Sequence, residues 1–242
     1  MYQILFMFLA LNSLTVSAQS VSVDTLFVPT VETVSDFPSA VLKFPIIRTG
    51  STLTDSLINR DLVDNFTHHE FPDLSPDSAI IKWTGGQIAF LDFEVTYNKN
   101  NLISLNISAE GCGAYCTRWT EYFTYSTSLG KRLSIDQVID TLGYFKKCVL
   151  RDAKRQSDSN RIELKSYSQD KNGDIDEETY NWLLEYYDYC DNSFNLKTFA
   201  LHPEHIEIIK HCYIPNVVKN LTPTFNLKYK YSDFSKQLKI KN

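Results

Sequence analysis

Five cysteines are the residues of this chain whose spacing most directly suggests chemistry. Cys112 and Cys116 enclose a short glycine-containing loop, and a bridge between them forms if that loop turns back on itself. Cys190 and Cys212 flank a predicted hairpin, whose two ends should lie close together. Sequence does not fix the connectivity of five cysteines, but it favours these two pairs. Cys148 falls inside a predicted helix and is expected to be a buried thiol.

Histidines raise the possibility of zinc in two stretches, residues 202–211 and residues 68–70. Neither stretch matches the helical H-E-x-x-H motif, and Pro203 prevents a regular helix in the first. The structural alternative is a hairpin turn in the first stretch and a helix C-terminus in the second. Cys112 and Cys116 likewise lack the second pair of soft ligands that a structural zinc site uses. We therefore predict neither a bound metal nor a cofactor.

An acidic loop over residues 168–179 partly matches a calcium-binding loop. With Gly173 at the sixth position, four ligand positions hold suitable oxygens, from Asp170, Asn172, Asp174 and Asp176. The first and twelfth positions hold Ser168 and Thr179 instead of carboxylates, which should weaken calcium binding severely. Alternatively, Asp174 and Glu177 form a capping box at the start of the next helix.

Aromatic residues supply the candidate binding surface. The chain contains 14 Tyr and 15 Phe, more than a core of this size needs, and tyrosine suits surfaces that are apolar at one end and wet at the other. Four aromatic residues near the loop at Cys112 are the predicted contacts, namely Tyr115, Trp119, Tyr122 and Tyr125. The alternative is that these side chains fill one face of a sheet. We find no Gly-x-Ser-x-Gly or Cys/His signature and predict no catalytic residue.

The elements that position these residues are short strands in blocks, with helices between them and no regular βαβ rhythm. Alternating patterns predict strands over residues 41–47, 88–97, 102–108, 119–125, 194–201, 204–211 and 224–231. Spacings of three and four residues predict helices beginning at Thr54 and near Ser134, over 142–155 and 177–189, and from Ser232. The pattern indicates an α+β fold of mainly antiparallel sheets with helices packed on them.

Residues 1–18 predict a signal peptide. An apolar run over residues 4–11 is too short to span a bilayer, and small residues at Val16 and Ala18 suit signal peptidase. The segment lacks the usual Lys or Arg, and the alternative is a buried N-terminal helix. We expect a secreted or periplasmic bacterial protein with no membrane span after signal removal. A lead-in over residues 19–39 and one composite domain over residues 40–240 complete the predicted organisation.

The net charge of −5 argues against nucleic acid as a partner, because nucleic-acid binding requires clustered Lys and Arg. Acidity alone is weak support for any particular protein partner.

Short motifs across residues 40–238 resemble a known bacterial domain. They include Phe44-Pro45-Ile46-Ile47, the helix around Ile58-Asn59, the strand residues 93–97 and 102–105, the loop Gly113-Ala114-Tyr115, and the turn over residues 129–134. Together they resemble the extracytoplasmic domain shared by lysozyme-sensing anti-sigma factors of the RsiV type and the non-catalytic part of PdaC-type peptidoglycan deacetylases. Where that family has a Gly-Gly-Ala-His loop, this chain replaces the His with Tyr115 and adds two cysteines.

The resemblance implies two intertwined halves, about residues 40–126 and 127–240. It also implies an exported, non-catalytic domain that binds an envelope partner, either a protein such as lysozyme or a cell-wall glycan. The alternative function is an exported carbohydrate or cell-wall hydrolase whose carboxylates the sequence does not locate.

Overall fold

Three antiparallel sheets and five helices make up the part of the chain that this computed structural model describes, residues 21–29, 41–85, 88–169 and 175–240. The strands are β1 (Ser22–Val28) and β2 (Leu42–Arg48) in the first sheet, β3 (Ile88–Lys99), β4 (Leu102–Cys112), β5 (Cys116–Ser126) and β6 (Lys131–Arg132) in the central sheet, and β7 (Phe199–Leu201), β8 (His205–Ile208) and β9 (Lys228–Lys230) in the third. The helices are α1 (Thr52–Phe66), α2 (Pro76–Thr84), α3 (Ile135–Val138), α4 (Tyr144–Gln169) and α5 (Glu177–Ser193), with short 3-10 turns at Asn216–Leu221 and Tyr231–Phe234. The predicted α+β class with antiparallel sheets is confirmed.

The central sheet is a meander whose strands follow one another in the chain. Its first turn contains Asn100 and Asn101 with φ of 58° and 57°, the left-handed conformation that a tight two-residue hairpin requires. Along β4, the alternate side chains of Ile103, Leu105 and Ile107 are fully buried; on the other face Ser104 is also buried, but Asn106 and Ser108 are only half-buried. The sheet therefore has an inner face that belongs to the core and an outward face that is partly open to solvent.

The first core lies between the inner face of the central sheet, the first sheet, and helices α1 and α2. In α1, the buried Asn59 side chain both accepts from Ile47 N at 2.8 Å and donates to Ile47 O at 2.9 Å, which ties the helix to β2. Pro45 lies in β2, whose sheet has two strands within the described residues and so no interior position, as suits a residue that lacks an N–H.

Two helix starts differ from the sequence prediction. Helix α1 is capped by Ser51, whose Oγ accepts from the backbone N of Thr54, so Thr54 lies inside the helix and is not its cap. Helix α5 is capped by Asp176, whose carboxylate accepts from Thr179 N at 2.8 Å. Asp176 therefore takes the cap position that the sequence assigned to Asp174, a residue outside the described part of the chain.

A second core joins α3, the first half of α4 and the third sheet, and a third lies between α4 and α5. Helix α4 continues well past the predicted end at residue 155, because Ser157 and Leu164 remain buried on one side of an otherwise polar helix. The strands of the third sheet are shorter than predicted. The residues before β7 turn instead, with the Asn195 side chain accepting from Lys197 N at 2.9 Å.

The third sheet packs against the central sheet through Tyr97 and Leu102 of the second core, and one buried hydroxyl adds a polar link. Ser104 in β4 accepts from the backbone N of Leu201 in β7 and from the Thr124 hydroxyl in β5, both at 3.0 Å. This contact sets the β7–β8 hairpin beside the outward face of the central sheet.

The division of one composite domain into two halves stays a prediction. No helix within the described residues has both the length and the apolar character needed to cross a bilayer.

Candidate recognition site

The tip of the β4–β5 hairpin is closed by a disulfide. Cys112 and Cys116 face each other as the last strand pair, with a Cα–Cα distance of 4.0 Å, and form one of the two cysteine pairs that the sequence favours. Within the enclosed loop, Gly113 N donates to Tyr115 O at 3.2 Å. The Tyr115 side chain is not packed into the core, and the residue is 69% exposed. The hairpin therefore presents an aromatic ring to solvent from a covalently closed loop.

The structure does not bring the four predicted aromatic residues together on one surface. Side chains alternate along β5, so Trp119 and Tyr125 share the inner face while Tyr122 lies on the outward face. Trp119 packs edge-on against Trp83 at 6.1 Å between ring centroids, as part of the first core. Only Tyr115 and Tyr122 remain on surfaces that a partner can reach.

Tyr125 is a core residue with a polar anchor. Its ring is fully buried, and its hydroxyl donates to Asp61 Oδ2 in α1 at 2.8 Å. Burial raises the pKa of Tyr125 well above its ordinary value, and the neighbouring Asp61 carboxylate raises it further. The side chain therefore stays a neutral hydrogen-bond donor that ties β5 to α1, and it has no exposed surface to offer a partner.

The outward face of the central sheet is a polar grid three strands wide. We use this name for nine residues in three rows across β3, β4 and β5: Phe90, Glu110 and Arg118, then Asp92, Ser108 and Thr120, then Glu94, Asn106 and Tyr122. Within the rows, Arg118 lies over the Phe90 ring at 4.6 Å, and the hydroxyls of Ser108 and Thr120 are 2.8 Å apart. The polar grid lies next to the hairpin tip, which places its hydrogen-bonding groups near Tyr115.

Tyr122 closes the polar grid on the side of the third sheet. Asn106 donates to the neighbouring Glu94 at 3.2 Å, and the Tyr122 ring lies 6.0 Å from the His211 ring. Burial raises the pKa of Tyr122, and the negative charges of Glu207 and Glu94 raise it further. Its phenol is therefore neutral at physiological pH and can both donate and accept a hydrogen bond.

The hairpin turn expected after residue 201 joins β7 to β8, and it groups two histidines with a carboxylate that the sequence pattern did not single out. His202 Nε2 lies 3.0 Å from Glu207 Oε2, and the His202 ring stacks on the His205 ring at 4.4 Å. Desolvation lowers the pKa of His205, with His202 and Lys228 contributing in the same direction. His205 and Glu207 are two residues apart, the spacing that puts side chains on one face of a strand, whereas the H-E-x-x-H spacing belongs to helices.

The second disulfide lies beside an ionic network. Cys190 at the end of α5 is joined to Cys212, with a Cα–Cα distance of 5.1 Å, the other pair favoured by the sequence. The adjacent Asp191 accepts from Lys210, from Ser157 at 2.6 Å and from Arg161 at 2.9 Å. The Lys210 side chain is only 2% exposed and lies over two aromatic rings. Disulfide and ionic network together hold α4, α5 and the segment after β8 in one place.

Two more sequence predictions concern the free cysteine and the acidic loop. Cys148 is a free, buried cysteine of α4. Of the weak calcium candidates, Asp170, Asn172 and Asp174 lie outside the described residues, as does the predicted signal peptide, residues 1–18. Asp176 is described, and its carboxylate serves as the cap of α5, where hydrogen bonds from Thr179 lower its pKa. The capping role explains this residue without a metal.

No family model matches this sequence, and no curated protein matches it either. Two solved structures are similar across nearly the whole chain. A DUF3298 family protein from Bacteroides fragilis has a TM-score of 0.54 at 13% identity, covering 92% of this chain and 95% of that one. The fold resembles that of DUF3298 proteins. Another member, from Pseudomonas aeruginosa, has a TM-score of 0.50 at 10% identity, covering 91% and 95% of the two chains.

DUF3298 is a family of the kind that the sequence resemblance suggested. At these identities the likeness concerns the fold alone. Neither the RsiV-type nor the PdaC-type relationship follows from it, and function has to be argued from the residues of the site.

Proposed function

We propose that this chain is an exported, non-catalytic recognition domain that binds a partner at the bacterial cell envelope. The observation that carries the proposal is Tyr115, a tyrosine 69% exposed on a loop closed by the Cys112–Cys116 pair. A closed loop loses little conformational freedom on binding, and tyrosine offers contact area with few rotatable bonds. Two disulfides also suit a secreted or periplasmic protein, where thiols oxidise and persist as bridges.

The charge of the polar grid favours a basic partner. The grid contains three carboxylates, at Asp92, Glu94 and Glu110, against the guanidinium of Arg118 and the Lys43 ammonium, which lies 3.5 Å from Asp92. A basic protein such as lysozyme would be attracted to this face at low ionic strength, and the attraction would weaken as salt is added. A cell-wall glycan is the other partner that the face could accommodate, because Tyr122 and Asn106 combine an aromatic ring with amide and hydroxyl groups.

Retention of the purified protein on immobilised lysozyme and on purified peptidoglycan at low salt tests the proposal. We expect binding to one of them and a loss of at least about tenfold in affinity for Tyr115→Ala, as for an exposed aromatic anchor. Tyr189→Ala is the matched control, because Tyr189 is 66% exposed but belongs to α5. Retention on neither material, or equal losses from the two variants, contradicts the proposal.

A cell-wall hydrolase is the second candidate, and the His202–Glu207 pair is the observation that favours it. A carboxylate 3.0 Å from an imidazole can orient the ring as a general base. Release of soluble fragments from purified peptidoglycan distinguishes the two functions. A hydrolase should lose this activity in Glu207→Gln and keep it in Tyr115→Ala, whereas a recognition domain should release nothing in any variant.

A further inference from the structure

The β7–β8 hairpin sets three potential metal ligands on one face. Along β8, Ile206 and Ile208 point into the second core and are 1% and 2% exposed, so His205 and Glu207 share the opposite face. His202 stands across the hairpin from His205, to which it is linked by a backbone hydrogen bond of 2.9 Å from His202 N to His205 O. Strand pairing alone therefore brings two imidazoles and a carboxylate to the same place.

The donor atoms of these three side chains lie within 4.8 Å of one another. One of the imidazole nitrogens, His205 Nε2, is buried and has no hydrogen-bond partner, the only such side-chain atom among the described residues. A buried polar atom without a partner costs free energy, and natural structures rarely leave one.

We propose that His202, His205 and Glu207 bind a divalent transition-metal ion, best matched by Zn²⁺. Two imidazoles and one carboxylate are a ligand set that zinc uses when its fourth position is left to water or to another ligand. Bonds of about 2 Å in a tetrahedron place neighbouring ligand atoms about 3.3 Å apart. The His202–Glu207 separation of 3.0 Å is already near this value. The His205 ring has to rotate out of its stack on His202 to complete the set.

Some of the charges near these three side chains oppose metal binding and others favour it. Lys228 Nζ lies 3.7 Å from Glu207 Oε1 and competes with a metal for that carboxylate, while Lys230 stands opposite His205. Glu204, in the hairpin turn, adds a negative charge close to His205, which favours a cation there. The Lys228 side chain is 49% exposed, so it can turn into solvent when a metal takes its place. The site lies beside Tyr122, but the proposal does not depend on the recognition function.

Calorimetric titration of the purified, chelator-treated protein with Zn²⁺ tests the proposal. We expect one ion per chain, with Co²⁺ giving the visible absorption of a tetrahedral site. His205→Ala and Glu207→Gln should each weaken binding by at least about tenfold, because even residues outside the first ligand shell affect affinity by that much. The double variant His68→Ala, His69→Ala is the control, since those residues follow α1 and are not among the three clustered donors.

Lys228→Met gives an independent prediction of opposite sign. Removing the competing ammonium should tighten zinc binding, and this result does not depend on the ligand variants remaining folded. No stoichiometric binding to the unmodified protein would overturn the proposal. So would binding that survives in Glu207→Gln at full strength, or binding lost from the His68 and His69 variant.

Discussion

Ser104→Ala should destabilise the protein far more than its size suggests. The Ser104 hydroxyl is fully buried and accepts from both Leu201 N and the Thr124 hydroxyl, each at 3.0 Å. Alanine leaves both donors buried without a partner, at about 1–3 kcal/mol for each such group. The Thr124 hydroxyl can rotate toward another acceptor, whereas the Leu201 amide is fixed by the backbone. We therefore expect a loss of about 2–3 kcal/mol in the free energy of unfolding.

Urea denaturation at neutral pH, with the disulfides intact, measures this loss. Ser108→Ala is the matched control, because Ser108 stands on the same face of the same strand but its hydroxyl pair with Thr120 is only part-buried. Water can replace that partner, so the control should lose less than about 1 kcal/mol. Hydrogen exchange at the Leu201 amide should also accelerate in Ser104→Ala alone. Equal destabilisation of the two variants, or an unchanged Leu201 exchange rate, would refute the reasoning.

Two further predictions concern the covalent and ionic links. Replacing Cys190 and Cys212 with serine should lower the free energy of unfolding by about 3 kcal/mol, and replacing Cys112 and Cys116 by about 2 kcal/mol. The cysteines are 22 and 4 residues apart, and the unfolded chain gains more entropy when the longer loop is released. Thermal denaturation of the two double variants should preserve this order, and the reverse order would contradict it. Asp191→Asn should cost about 3 kcal/mol at neutral pH, because it leaves the buried Lys210 ammonium poorly compensated. Burial raises the pKa of Asp191, but hydrogen bonds from Lys210 and Ser157 outweigh burial and hold this pKa below its ordinary value of 3.8. The stabilisation from the Asp191 carboxylate is therefore complete above pH 3.8 and is lost as the pH falls below it. Unfolding curves of both proteins should therefore converge in acid, and a difference that persists unchanged there would count against the assignment.

The central sheet was predictable because its signals are local. Alternation in β3 and β4 and the asparagines of the turn at Asn100 and Asn101 specify strands and hairpin without reference to the rest of the chain. The strands of the third sheet were harder to predict. They have three or four residues, too few for an alternating pattern to show where each strand begins and ends. The predicted end of helix α4 fell too early because the second half of the helix is polar. Its few buried residues contact a helix that comes later in the chain, which a local pattern does not reveal.

The candidate site shows where sequence reasoning loses information. The two favoured cysteine pairs followed from loop length and hairpin geometry and are the pairs seen in the structure. The aromatic cluster did not follow, because Tyr122 and Tyr125 are three residues apart on a strand and must point to opposite faces. Sequence proximity suggested a shared surface, while strand geometry sends Tyr125 into the core. The hydrogen-bond partner of Tyr125 is Asp61, which lies 64 positions earlier and cannot be predicted from the local pattern.

The Ser104–Leu201 contact also bears on how the chain reaches its native state. Strands β3, β4 and β5 meet through short turns, so the meander can form early at a small entropic cost of loop closure. The hydrogen bond from Leu201 to Ser104 spans 97 positions and can only form after α4 and α5 have folded back. We therefore expect the surface between Tyr122 and the β7–β8 hairpin to assemble late in folding. It should also be among the first regions to open in a native-state fluctuation.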